Sequence, residues 1–325
     1  MALSPTLIHG TVPFADSTLP RPAQTAYLLY HHPSAPAPTP STFSSLRPLL
    51  VLHGGPGATH SYLTPLADLV TPTRPVILYD QIGCGKSTRY REKKGDEEFW
   101  SVGLFVRELR GLLEGLGVVD FDLFGNSWGG MLGAEYAVRY TKASPTSSES
   151  SGPELRHLII ADSPADMKDW VSEAERLRAQ LPGDVQAVLD ECEKEGRTES
   201  EEYEDAVFEF YKRHLCRVEP LPEGVVRMME GLKEDSTVYH TMNGPSEFHV
   251  VGSLKDWSIK DRLKEIDVPT LLLNGRYDEA TDEVVRPYFQ GIRQVKWFTF
   301  AESSHMPHYE ERELFMKVVD GFLSM

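Results

Sequence analysis

The chain has 325 residues, 40% of them apolar and 25% charged, which suits one large α/β domain with an insertion or two modest domains and argues against wholesale disorder. Its 49 acidic against 33 basic residues give a formal net charge of −16, which repels phosphate backbones and anionic lipid and favours a cationic ligand such as a free amine. No apolar stretch approaches the roughly 20 residues of a membrane span, so neither nucleic acid nor a membrane is expected as a partner.

Short apolar runs bounded by turn residues recur along the chain. They cover 47–53, 75–80, 121–125, 155–161, 270–274 and 295–300. Most lack clean alternation, as strands buried on both faces do. Helical patterns lie between them, such as Leu104 to Leu116 and Trp128 to Tyr140. Strand-helix alternation predicts a mostly parallel sheet with helices on both faces. An antiparallel sandwich would leave the helical spacers unexplained.

Three stretches interrupt this rhythm. Residues 33–48 are rich in Pro and Ser, and 142–153 hold five serines, so both are expected to be mobile loops that bury no core. From 163 to 257 the strands stop and acidic helical sequence takes over. Val185, Val188, Leu189 and Cys192 recur at helical spacing there, as do Tyr203, Val207, Phe210 and Tyr211. The expectation is a core in two parts, 1–162 and 258–325, carrying a helical cap over the C-terminal edge of the sheet.

The chemistry concentrates in a few motifs. Gly125-Asn126-Ser127-Trp128-Gly129 follows a predicted strand and opens a predicted helix, the context a nucleophile elbow requires. A serine hydroxyl needs a base, and the base an orienting carboxylate. Asp278 and His305 each fall just past a predicted strand end and in the chain order Ser, Asp, His. Glu279 and Asp282 compete with Asp278, and His308 with His305. His53-Gly54-Gly55-Pro56-Gly57, after the first of these runs, resembles the segment that supplies a second oxyanion donor. His305 with His308 lacks further ligands at sensible spacing, and Cys84, Cys192 and Cys216 share no metal-ligand spacing. No metal and no cofactor are expected. The opening residues carry no secretory pattern, so reduced thiols in a cytoplasmic protein are expected.

These segments resemble those of the proline iminopeptidases of the α/β-hydrolase fold. The resemblance rests on His53 to Gly57, Tyr79-Asp-Gln-Ile-Gly-Cys-Gly-Lys-Ser87, Gly125 to Gly130, Gly275 to Glu279, Ser303 to His305 and Met242 to Phe248. It runs from about residue 50 to the C-terminus. The cap and C-terminal segments look nearest to the tricorn-interacting aminopeptidases. The likeness implies Ser127 as nucleophile, Asp278 as orienting acid and His305 as base, with oxyanion N–H groups from Gly55 and Trp128. It implies that Glu247 and Glu279 bind a substrate's protonated N-terminus, with Tyr239 lining that pocket. Ile82 departs from the pattern, standing where Arg is common in the family.

The function implied is a serine aminopeptidase that frees the N-terminal residue of a short peptide or aminoacyl amide through an acyl-enzyme. A small-molecule amide or ester hydrolase on the same scaffold is the alternative, separated from the first by the two glutamates, which an ester without an amine would not need. A catalytically silent binding protein is disfavoured by the complete triad, and Asp-nucleophile relatives are excluded by Ser127 at the elbow.

Overall fold

The computed structural model describes residues 4–140 and 152–325. Eight strands form one sheet: β1 (Thr6–Phe14), β2 (Ala23–His31), β3 (Leu49–Leu52), β4 (Val76–Asp80), β5 (Asp120–Asn126), β6 (Glu154–Ala161), β7 (Thr270–Gly275) and β8 (Val295–Phe300). Their order across the sheet is β1-β2-β4-β3-β5-β6-β7-β8. The pairs β1/β2 and β2/β4 are antiparallel, and every other pair is parallel. All six expected strands form, within two residues of their predicted ends. β3, β4 and β7 are buried at every position, which is why their sequences run apolar without alternation.

The antiparallel hairpin of β1 and β2 was not read from the sequence. β1 is an edge strand with only Val12 and Phe14 buried, so polar residues interrupt its pattern. Two helices follow the early strands: α1 (Val102–Leu116) and α2 (Trp128–Tyr140). α1 buries Leu104, Phe105, Leu109, Leu112, Leu113 and Leu116 along one stripe, and ends at Gly117 in the left-handed region (φ 72°). There the N–H of Val118 reaches back to the Leu113 carbonyl, closing the helix with a Schellman turn.

Between β6 and β7 the chain forms α3 (Met167–Arg178), α4 (Gly183–Glu195), α5 (Glu201–His214), α6 (Glu223–Glu234) and α7 (Thr237–Met242). The side chain of Asp166 caps α3 and that of Ser200 caps α5. Leu177, Leu189, Cys192, Tyr203, Val207, Phe210 and Phe248 make an apolar cluster separate from those flanking the sheet. Each large side chain fully buried there contributes about 1.5–3 kcal/mol. The acidic residues of α4 and α5 lie mostly on the exposed faces. The two ends of this excursion meet: the N–H of Met167 bonds the Trp257 carbonyl and that of Ile259 bonds the Ala165 carbonyl. The last helices are α8 (Asp282–Gly291), α9 (Pro307–Glu310) and α10 (Arg312–Leu323).

The loop 33–48 differs from expectation. Phe43 is buried in the main core, and Arg47 pairs with the buried Asp122, so the segment is anchored at its second half. Of the Ser-rich stretch, 142–151 lie outside the described residues. No helix among the described residues is long and apolar enough to cross a membrane.

Candidate active site

The strand order reverses at β3, whose neighbours are β4 on one side and β5 on the other. A crevice at the C-terminal ends of the strands follows from such a reversal. The loop after β3 holds Gly54 and Gly55, and the turn after β5 holds Ser127, with Leu52 paired to Gly125 in the sheet. Asp278 follows β7 and His305 follows β8 in the same direction.

Ser127 adopts φ 57°, the left-handed backbone that side-chain-bearing residues avoid. The turn exists because its flanking glycines let backbones touch. A Cβ at Gly125 would lie 2.1 Å from the Gly129 carbonyl oxygen, and one at Gly129 would lie 2.3 Å from that of Leu52. The N–H groups of Gly130 and Met131 bond the Ser127 carbonyl. Trp128 opens α2, where a backbone N–H has no intrahelical acceptor. Its indole turns away and donates to Gln81 Oε1 at 2.9 Å.

Gln81 also donates through Nε2 to the His53 carbonyl, and its own N–H bonds His53 Nε2. The segment 79–87 therefore clamps the His53–Gly57 loop against the elbow. The buried carboxyl of Glu108 accepts the Ile82 N–H and the Thr25 hydroxyl. Ile82 itself lies in the main core and is not on the cavity wall. Among the described residues, one trio of ligand types comes together: His53, Asp80 and Cys84. Its donor atoms are already engaged, His53 Nε2 by Gln81, and Asp80 by His60 Nδ1 and the Lys86 N–H. Burial holds His53 down at about 4, so it is neutral. This trio supports the loop and offers no open metal site.

His305 Nδ1 and Asp278 Oδ1 are 2.6 Å apart, and both side chains are buried. Asp278 Oδ1 also accepts the Ala280 N–H at 2.9 Å, which fixes the carboxylate. Burial disfavours the charged form of His305, but the Asp278 carboxylate outweighs it and raises the imidazole above its usual range. His308 behaves oppositely. It bonds the Tyr62 carbonyl through Nε2, and burial pushes it down to about 3.

A cavity of about 550 Å³ opens over Ser127 and His305. Glu247, Glu279 and Tyr239 line it, together with Gly55 of the β3 loop and side chains of α5 and α6. Glu247 Oε1 accepts the Tyr239 hydroxyl at 2.7 Å. Neither carboxyl oxygen of Glu279 has a hydrogen-bond partner among the described residues, although the side chain is buried. Glu279 Oε1 lies 3.9 Å from His305 Nδ1. Burial raises both glutamates, and the charge of Glu247 raises Glu279 further.

All eight residues proposed from the sequence thus converge on this edge of the sheet. Sequence reasoning missed Trp170, Tyr62, Asn126 and Asp162. Trp170 donates to the Glu247 carbonyl at 2.8 Å and sets its ring edge-on to His305. Tyr62 receives the Gly54 N–H and donates to Asn126 Oδ1, tying the β3 loop to the elbow. A charged residue directly after the apolar run 155–161 was a readable signal for Asp162. Trp170 and Tyr62 carry none, because their roles depend on helix placement.

Residues 47–312 match the family model described as the alpha/beta hydrolase fold. The proline iminopeptidase of Saccharolobus solfataricus is 36% identical over 280 residues, 86% of this chain and 85% of that protein. That of Heyndrickxia coagulans is 38% identical over 278 residues, covering 85% and 90%. Among solved structures, VinJ superposes with a TM-score of 0.85 at 43% identity, and the proline iminopeptidase of Mycobacterium smegmatis with 0.80 at 41%. Each of these two comparisons covers 98% of both chains.

Proposed function

The chain belongs to the proline iminopeptidase family of the α/β-hydrolase fold, and from that premise we propose a serine aminopeptidase acting on short peptides or aminoacyl amides with a free amine. Ser127 is the nucleophile. His305, with Nδ1 bound to Asp278, keeps Nε2 free to take the Ser127 proton as Oγ attacks the substrate carbonyl carbon. The N–H groups of Gly55 and Trp128 receive the oxyanion. His305 then returns its proton to the leaving amine as the C–N bond breaks. Water, deprotonated by the same imidazole, releases the amino acid from the acyl-enzyme.

The observation that carries this reading is Glu279, a buried carboxyl facing the cavity beside Glu247 with neither oxygen hydrogen-bonded among the described residues. Two carboxyls in a low-dielectric pocket form a receptor for one ammonium ion. Such an anchor fixes which bond meets Ser127, so only the N-terminal residue is released. Residues 163–257 are read as the cap, a reading supported by the backbone bonds that join 165–167 to 257–259.

A second reading, hydrolysis of a small apolar amide or ester, has one observation in its favour. Beyond the glutamates the cavity wall turns apolar, with Val207, Phe208, Met228, Met229 and Leu232. A panel of aminoacyl chromogenic amides beside simple acyl esters separates the two. The aminopeptidase reading expects prolyl or small apolar aminoacyl amides to lead, and a preference for plain esters overturns it.

A further inference from the structure

The carboxyl groups of Asp162 and Asp278 are buried neighbours, and each has one oxygen without a hydrogen-bond donor among the described residues. Asp162 follows β6 directly, and its N–H bonds the Leu273 carbonyl of β7 at 2.8 Å. It is wholly buried and holds φ 53°, which with Ser127 makes two non-glycine residues in the left-handed region among those described. Backbone strain of this kind persists where the surroundings over-determine a residue.

An inventory of donors decides what the contact is. Asp162 Oδ2 accepts from Asn126 Nδ2 at 2.9 Å, whereas Oδ1 has no donor among the described residues. Asp278 Oδ1 accepts from His305 and Ala280, whereas Oδ2 has no donor among the same residues. An ionised carboxylate only accepts, so two charged groups here would leave both inner oxygens unsatisfied and repelling. One proton between them satisfies both at once. Asp278 already holds two donors on its other oxygen, one of them the imidazole, so the proton belongs to Asp162.

We propose that Asp162 is a positioning residue, a neutral carboxylic acid that donates its proton to Asp278 Oδ2 and so holds that carboxylate for His305. The proposal rests on the catalytic reading of Asp278 and His305 given above. Burial, followed by the nearby Asp278, raises Asp162 well above the ordinary carboxylate range, in agreement. The titratable groups facing the pair are Glu310 of α9, His214 of α5 on the Asp278 side, Tyr62 on the Asp162 side and, around His305, Glu247 and Glu279. Asp162 also ends a relay that begins at the β3 loop: the Gly54 N–H donates to Tyr62, Tyr62 to Asn126, and Asn126 to Asp162. The loop carrying Gly55 and the acid behind His305 are thereby set by one connected network.

The test is the acid limb of the kcat/KM–pH profile on a prolyl chromogenic amide. Asp162→Asn offers a carbonyl to Asn126 and an NH₂ to Asp278, and Asn tolerates the left-handed backbone. It should keep kcat within about threefold and the acid limb within about 0.3 pH unit of wild type. Asp162→Ala removes the donor, so Asp278 becomes more basic, His305 stays protonated to higher pH, and the limb moves up by about half a unit or more with kcat down about tenfold. An acid limb lowered by about a unit in Asp162→Asn would mean a negative charge had been lost, and would overturn the proposal. So would an Asp162→Ala enzyme with unchanged kcat and profile. If Asp162→Ala does not fold, the Asn variant decides alone. Asp278→Asn run alongside isolates the underlying reading: full activity there removes the dyad itself, whatever the Asp162 variants do.

Discussion

His305 stands 2.6 Å from Asp278, while His308, three residues on, is bonded to the Tyr62 carbonyl instead. The first imidazole has a carboxylate behind it and the cavity before it. The second is sealed in the core against Tyr62 and Phe315. His305→Ala should therefore lower kcat by roughly 10⁴-fold or more on any good substrate, because members of a triad act as a unit. His308→Ala should lower thermal stability through lost packing and leave a smaller change in kcat. Steady-state kinetics and melting curves on both variants check this, and a more damaging His308 change would relocate the base.

Ser127→Ala removes one hydroxyl from a turn whose geometry is set by Gly125 and Gly129. The variant should fold and melt like wild type while losing essentially all turnover. A fluorophosphonate should label wild type at Ser127, as peptide mapping would show, and should leave the variant unlabelled. Labelling at another serine would contradict the assignment.

The parts of this site that were legible in the sequence are those set by chain-local rules. The elbow announces itself because Gly125, Ser127 and Gly129 must lie within one strand-turn-helix. The acid and base fall just past β7 and β8, where apolar runs end. Glu247 and Glu279 were legible only through family resemblance, since nothing in their spacing brings α7's loop over β7. Asp162 stood at a readable place just past the run 155–161, but its link to Asn126 and Asp278 needed the sheet order, which puts β6 between β5 and β7. The hairpin β1–β2 escaped because β1 buries only Val12 and Phe14, too short a stretch to imprint a clear alternation. Phe43 escaped because one aromatic residue inside a Pro/Ser-rich loop carries no period.

Glu108 gives a stability prediction. It is fully buried beneath the loop after β4, and burial raises its carboxyl from 4.5 to about 8. The unfolded chain thus releases this proton at lower pH than the folded one. Its contribution to stability is whole below about pH 4.5 and is lost as pH rises toward about 8. Glu108→Gln stays neutral and keeps an oxygen for the Ile82 N–H and the Thr25 hydroxyl. Denaturant midpoints should show the variant gaining on wild type between pH 5 and 8, by on the order of 4 kcal/mol in total. A constant difference across that range would contradict the buried neutral acid.

The central claim is that Glu247 and Glu279 hold the ammonium group of the substrate. The measurement that tests it most directly is kcat/KM for free and N-acetylated prolyl chromogenic amides, in wild type and Glu247→Gln. Acetylation removes the charge and leaves the two buried carboxyls without a cation, at a cost of several kcal/mol, so wild type should prefer the free amine by more than about a hundredfold. Glu247→Gln keeps the shape, loses the charge and should narrow that preference sharply by slowing the free-amine substrate. Equal rates on blocked and free amides in wild type would contradict the account and leave a simple amide or ester hydrolase in its place.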